Sequence, residues 1–208
     1  MAGAAVRCWL AARRYLVRLT PSMAPGDPEL PRDPAAALRA PLRRSLEYIN
    51  GYLSLGLARD AQAELDQIDP SDRRHPWAVQ AEMGILYALG EWKTLEDISR
   101  KYVTAHPGDI EGWINVAFAL RRTAGVADAK AALLDVPPGL GVKSAILQYN
   151  LACYHAVLGE ETEAKDRLRR ALALEPELQA QAVQDEDLRT LWTEIDRLLP
   201  KKRKADPN

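Results

Sequence analysis

Residues Tyr149–Pro176, YNLACYHAVLGEETEAKDRLRRALALEP, decide the fold, because they form the pattern of two amphipathic helices in tandem. Apolar residues of the first helix recur on one face at Leu147, Leu151, Tyr154 and Leu158. Gly159 interrupts this pattern, and a second helix follows with alanine and leucine on one side and charged residues on the other. A single hairpin of this kind cannot bury its apolar face, so the stretch predicts neighbouring hairpins.

The same layout recurs along the chain with an almost constant period. Blocks that begin at residues 42, 76, 110 and 145 are spaced 34, 34 and 35 residues apart. Small residues occupy turn or helix-contact positions in these blocks: Gly56, Ala61, Gly90, Ala117, Ala129, Ala152, Gly159 and Ala164. The sequence therefore predicts four helical hairpins, at 42–75, 76–109, 110–144 and 145–178.

Residues 145–178 resemble a tetratricopeptide (TPR) repeat, a helix–turn–helix unit of about 34 residues. The matching residues are Leu151, Ala152, Gly159, Ala164, Leu168, Ala171 and Pro176, and His155 replaces the usual tyrosine. The region 42–199 is also similar to a bacterial TPR-protein group. The resemblance implies an all-α fold, an α-solenoid of about four TPR-like hairpins that ends in a C-terminal capping helix.

The residues after Pro176 predict the capping helix, within 179–200. They form one apolar stripe: Leu188, Leu191, Trp192, Ile195 and Leu198. A repeat array needs such a terminal helix to cover its last repeat. Residues 201–208 begin with the basic run Lys201–Lys204 and predict a disordered tail.

Residues 1–41 differ from the rest of the chain and predict a flexible or targeting extension. Four arginines precede the first acidic residue, Asp27. An arginine-rich, acid-free start is typical of a mitochondrial transit peptide and is compatible with a membrane-surface helix. The alternatives are an unstructured extension and a true start at Met23. Five prolines between Pro21 and Pro34 predict a linker.

Composition limits the class of protein. The 208 residues are 47% hydrophobic and 27% charged, rich in helix formers, with a formal net charge of −1. This charge argues against a general nucleic-acid-binding protein. Cys8 and Cys153 offer no disulfide framework and favour a reducing compartment, hence a cytoplasmic location, or a mitochondrial one if residues 1–20 are an address. No apolar stretch has the length that spans a membrane.

The sequence predicts no enzyme, catalytic residue, metal site or cofactor. His155 is expected to pack between helices. Cys153 projects away from it, because side chains two positions apart on a helix point about 200° from each other. The stretch Gly139–Ser144 lacks the spacing of a phosphate-binding loop. The acidic residues 185–187 lie where a helix begins, where they favour its N-terminus.

The TPR resemblance implies a concave groove lined by the first helix of each hairpin. Transferred to this sequence, the candidate peptide-binding residues are Asn50, Trp77, Tyr87, Ile114, Asn115, Phe118, Arg121, Arg122, Tyr149 and Asn150. This lining is aromatic and aliphatic with one pair of cations, which suits a peptide or helix with an apolar face and an acidic residue. The alternative is that Trp77, Phe118 and Tyr149 are core residues.

The sequence therefore predicts a non-enzymatic protein–protein interaction module, an adaptor or scaffold that binds a protein or peptide partner. An organelle- or membrane-targeted assembly factor or co-chaperone that uses residues 1–20 as its address is the alternative. A helical-repeat protein that binds RNA is a third possibility, which the near-neutral charge disfavours. The sequence does not set the oligomeric state.

Overall fold

The computed structural model describes residues 38–195, which are helical and contain no strand. The α helices are α1 (Ala40–Ser54), α2 (Ala58–Asp66), α3 (Pro76–Leu89), α4 (Trp92–Ala105), α5 (Ile110–Thr123), α6 (Val126–Leu134), α7 (Ala145–Val157), α8 (Glu161–Leu174) and α9 (Gln179–Ala182). The more tightly wound 3₁₀ helices cover Gly141–Lys143, Pro176–Leu178 and Glu186–Glu194. The all-α prediction is confirmed for these residues. None of their helices is long and apolar enough to cross a membrane.

The predictions for the two ends of the chain concern residues that lie mostly outside the described part. These are the extension and linker over 1–41, with its targeting segment 1–20, and the basic tail over 201–208. Within the described part, α1 begins at Ala40 with Pro41 in its first turn. Proline fits there because the N–H that it lacks has no partner within the helix.

The helices α1 to α8 form four consecutive pairs, and a glycine lies between the two helices of each pair. Gly56, Gly90, Gly125 and Gly159 all have positive φ, from 76° to 117°. Glycine enters this left-handed region without the steric cost that a Cβ imposes, so the chain reverses there. The predicted turns at Gly56, Gly90 and Gly159 are confirmed, and Gly125 supplies the fourth. The second helices of the pairs begin at residues 58, 92, 126 and 161, spaced 34, 34 and 35 residues apart.

Buried side chains repeat with the same spacing. One series, in the first helix of each pair, is no more than 1% exposed: Ile49, Met83, Ala117 and Ala152. A second series, in the second helix, is fully buried: Ala61, Leu95, Ala129 and Ala164. Each hairpin therefore uses equivalent positions for its interior contacts.

The described residues belong to two compact units, 38–137 and 138–195. In the N-terminal unit, 38–137, consecutive helices pack on one another, α1 also contacts α3, and α3 also contacts α5. One apolar cluster joins α1, α2 and α3 and includes Trp77. A second joins α3, α4 and α5 around Met83, Leu95 and Tyr102.

A polar network also links three helices of the N-terminal unit. Asp109 begins α5, where one carboxylate oxygen accepts the backbone N–H of Glu111 at 3.0 Å. The other oxygen accepts the phenolic proton of Tyr102 on α4 at 2.6 Å and a proton from Gln80 on α3. The residue that caps α5 is thereby bonded to both preceding helices.

In the C-terminal unit, 138–195, α7 packs on α8 and is buried on all sides from Ala145 to Ala156. The segment Glu186–Glu194 packs against both helices, with Leu188 and Leu191 fully buried. The capping helix predicted within 179–200 is divided: α9 ends at Ala182, and a 3₁₀ helix follows at Glu186. A 3₁₀ helix has three residues per turn, which places Leu188 and Leu191 on the same side.

Candidate functional site

Three aromatic rings and one guanidinium group meet on the N-terminal unit. We name Tyr87, Trp92, Phe118 and Arg122 the aromatic–arginine cluster. The centroid of the Tyr87 ring lies 5.3 Å from that of Trp92 and 5.4 Å from that of Phe118, both edge to face. Cζ of Arg122 lies 5.2 Å from the centroid of a Trp92 ring. These distances are in the range of favourable aromatic and cation–π contacts.

Local structure explains why these residues meet. Tyr87 is in the last turn of α3, and Gly90 at φ 77° reverses the chain so that Trp92 begins α4 beside it. Phe118 and Arg122 are four residues apart on α5, which places them on one face of that helix. A turn and an i, i+4 pair therefore assemble the cluster from three consecutive helices.

The cluster combines apolar surface with a positive charge that no described carboxylate neutralises. Phe118 is buried, Tyr87 and Trp92 are half-buried, and Arg122 is exposed. Within residues 38–195, Arg122 makes no salt bridge. Its electrostatic partner there is the Trp92 ring, through the cation–π contact. Such a surface offers aromatic contact area and N–H donors side by side.

The predicted groove residues are carried by α1, α3, α5 and α7, the first helices of the four pairs. The structure brings Tyr87, Phe118 and Arg122 together. It adds Trp92, which the groove prediction missed because Trp92 belongs to a second helix. Its signal in the sequence is an aromatic residue five positions after Tyr87, across a turn glycine.

Five of the predicted groove residues are buried: Trp77, Ile114, Phe118, Tyr149 and Asn150. Trp77 packs in the cluster that joins α1, α2 and α3. Asn150 donates to the carbonyl of Ile146 at 2.9 Å. These side chains contribute to packing, which agrees with the alternative that Trp77, Phe118 and Tyr149 are core residues. Their role in ligand binding stays a prediction.

The remaining predicted residues are half-buried: Asn50, Asn115 and Arg121. Nδ2 of Asn115 donates to the carbonyl of Glu111 at 3.1 Å, within the same helix. Arg121 follows Leu120 in the last turn of α5 and precedes the exposed Arg122. Their positions are compatible with a groove surface that stays a prediction.

A second group of polar side chains lies in the interior of the C-terminal unit. Tyr149 donates to Oδ2 of Asp185 at 2.9 Å, and Sγ of Cys153 lies 3.7 Å from the same oxygen. Oδ1 of Asp185 accepts the N–H of Asp187 at 3.1 Å, so Asp185 caps the helix that begins at Glu186. Burial raises the pKa of the Asp185 carboxyl, and the charge of Asp187 acts in the same direction.

Cys153, Asp185 and Asp187 are the described residues that come closest to a cation-binding set. One ligand atom of each lies within 4.8 Å of the others. Asp185 accepts hydrogen bonds from Tyr149 and from the backbone N–H of Asp187 through its two oxygens. In the structure it is the N-cap of Glu186–Glu194.

His155 is buried, as expected, and lies in the last turn of α7. Its Nδ1 contacts the carboxylate of Glu160, and no described residue forms a hydrogen bond with Nε2. The stretch Gly139–Ser144 contains the 3₁₀ helix Gly141–Lys143, whose first carbonyl accepts a proton from Gln148 at 2.9 Å. Neither place offers a nucleophile next to a general base.

No family model, curated protein or solved structure matches this chain. The aromatic–arginine cluster is the described feature with the composition of a binding surface, because tryptophan, tyrosine and arginine dominate the energetics of protein interfaces.

Proposed function

We propose that this protein is a non-enzymatic interaction module, an adaptor or scaffold that binds a peptide or helix of another protein. The observation that carries the proposal is the aromatic–arginine cluster, in which half-buried rings lie beside an exposed arginine. Aromatic rings give contact area at low entropic cost, and an arginine adds directional hydrogen bonds.

The repeated architecture supports the same proposal. Four helical pairs with equivalent buried positions, spaced 34 or 35 residues apart, are what a TPR-like α-solenoid requires. In such a solenoid the first helices of successive hairpins would line a common groove. Tyr87 and Phe118 are on two of these helices, α3 and α5, and their rings are in contact. We place the peptide-binding surface there.

The proposal is tested by affinity capture from a lysate of the cells that naturally express the protein. The test variant carries Tyr87→Ala and Arg122→Glu, which remove ring area and reverse the charge of the cluster. The matched control carries Tyr48→Ala and Arg59→Glu, at exposed residues of α1 and α2. Circular dichroism and thermal melting first establish that both variants keep their helices.

We expect the wild type and the control to retain the same partner and the test variant to lose it. Equal capture by all three proteins would place the binding surface elsewhere and would overturn the proposal for this cluster.

A further inference from the structure

The stacking of Arg122 on Trp92 leaves part of the guanidinium group free for a ligand. With Cζ 5.2 Å from the ring centroid, the guanidinium group of Arg122 lies over one side of the indole. A guanidinium carries five N–H donors, and two of them can bind both oxygens of a carboxylate. The stacking also restricts the motion of a long side chain, which lowers the entropic cost of binding.

The nearby carboxylate of α4 does not occupy those N–H groups. Glu96 binds other partners: it accepts from Thr123 at 2.8 Å and from Arg100 at 3.1 Å, and Lys93 lies 3.5 Å away. Arg100 therefore pairs with Glu96, and Lys93 pairs with Glu96 and with Asp97 at 3.6 Å. The exposed Arg122 makes no salt bridge within the described residues. The cluster therefore presents an uncompensated positive charge at the edge of the Tyr87, Trp92 and Phe118 rings.

We infer that the Arg122–Trp92 pair is the subsite for an acidic side chain of the bound peptide, with an apolar residue of that peptide on Tyr87. This inference rests on the proposed function and specifies its ligand by charge complementarity. The occupant is an internal peptide segment in which an aspartate or glutamate neighbours an aliphatic or aromatic residue. The carboxylate binds the edge of Arg122, and the apolar neighbour covers ring surface that is now in contact with water.

The experiment selects ligands from a library of random linear peptides displayed with both ends blocked, so that only side chains supply carboxylates. The full chain is the target, and enriched peptides are synthesised with a fluorophore and titrated by fluorescence polarisation. Arg122→Ala removes the proposed subsite. Arg59→Ala removes an exposed arginine of α2 that makes no described salt bridge and lies on no ring, and it serves as the matched control.

We expect enriched peptides to contain an acidic residue beside an apolar one. Arg122→Ala should weaken their binding about tenfold or more, because a charge-assisted hydrogen-bonded pair is lost. Arg59→Ala should leave it within about twofold, as for a distant surface charge. Replacing the acidic residue of the peptide by its amide should weaken binding to the wild type and have no further effect on Arg122→Ala.

Two other results are distinguishable. If enriched peptides bind Arg122→Ala as tightly as the wild type but lose affinity for Tyr87→Ala, the acidic subsite is overturned while the peptide-binding function stands. If no peptide binds the wild type specifically, both the subsite and the proposed function are overturned.

Discussion

Tyr149 on α7 donates its phenolic proton to Asp185 at 2.9 Å, and Asp185 is the residue that caps the Glu186–Glu194 helix. The same arrangement occurs in the N-terminal unit, where Tyr102 donates to Asp109, the cap of α5. In each unit a tyrosine from an earlier helix fixes the aspartate that begins a later one. Helix capping and the packing between helices are thereby coupled.

Tyr102→Phe tests this coupling in the N-terminal unit. The change keeps the ring but removes the donor to Asp109, so we expect the free energy of unfolding to fall by about 1–2 kcal/mol. The remaining bond from Gln80 keeps the loss moderate. Urea denaturation followed by circular dichroism measures it, with Tyr48→Phe, at an exposed tyrosine, as the control. Equal stability of the two variants would contradict the coupling.

Asp185→Asn tests the buried carboxyl by its pH dependence. Burial raises the pKa of Asp185 in the folded protein above its usual value of about 3.9. The fold therefore favours the protonated form, and this contribution to stability is lost as the pH rises through the folded-state pKa.

Asparagine keeps an oxygen for Tyr149 and is a good capping residue. The stability of Asp185→Asn relative to the wild type should therefore increase as the pH rises above the unfolded-state pKa of about 3.9 and through the raised folded-state pKa of Asp185. Urea denaturation at a series of pH values measures this difference. A difference that stays constant with pH would exclude Asp185 as the titrating group.

Gly112→Ala tests the close approach of α4 and α5. A Cβ at Gly112 would lie 2.8 Å from Cδ1 of Tyr102 and 2.9 Å from Cγ1 of Val103, both buried. We expect a loss of stability of about 1 kcal/mol or more, because overpacking outweighs the gain in helix propensity.

Gly51→Ala is the matched control, since nothing lies within 4 Å of a Cβ at that position of α1. It should stabilise the protein by about 0.5–1 kcal/mol, the helix-propensity difference between glycine and alanine. Thermal melting distinguishes the two. Stabilisation by both substitutions would show that α4 and α5 tolerate the added methyl group.

Glu96→Gln tests the carboxylate that joins α4 to the end of α5. Burial raises the pKa of Glu96, but hydrogen bonds from Thr123 and Arg100 and the charges of Lys93 and Arg100 outweigh it, so the pKa is lowered overall. The stabilisation is therefore present above the unfolded-state pKa of about 4.3 and is lost as the pH falls through the folded-state pKa.

We expect Glu96→Gln to lower stability at neutral pH by about 1–2 kcal/mol and to lose less than the wild type on acidification. Glu163→Gln, at an exposed residue of α8, should change stability by less than about 0.5 kcal/mol. Chemical denaturation at neutral and acidic pH measures both variants. Parallel acid transitions of Glu96→Gln and the wild type would contradict the assignment.

The helices and their turns could be predicted from the sequence because they depend on local signals. The pattern predicts the second hairpin within 76–109, and the structure has its helices at Pro76–Leu89 and Trp92–Ala105. Apolar residues at helical spacing, a glycine at the turn and a proline after the second helix were sufficient. The 3₁₀ form of Glu186–Glu194 carried no such signal, since its leucines at i and i+3 fit an α helix equally well.

The candidate site was predictable only in part. The groove pattern selected Tyr87, Phe118 and Arg122, but Trp92 enters through a contact across a turn that repeat positions do not encode. The pattern also could not separate groove from core in α7, because nearly every residue of that helix is apolar and buried. The bond between Tyr149 and Asp185 joins residues 36 positions apart, and nothing periodic marks it.

The packing of the N-terminal unit has a consequence for how this region acquires its structure. Its main helix contacts join each helix to the next or to the next but one. Contacting residues are therefore close in sequence, the contact order is low, and little loop-closure entropy is lost before native contacts form. Helical domains of this kind fold within about microseconds to milliseconds. We therefore expect folding of this unit to begin with contacts between helices that are adjacent in sequence.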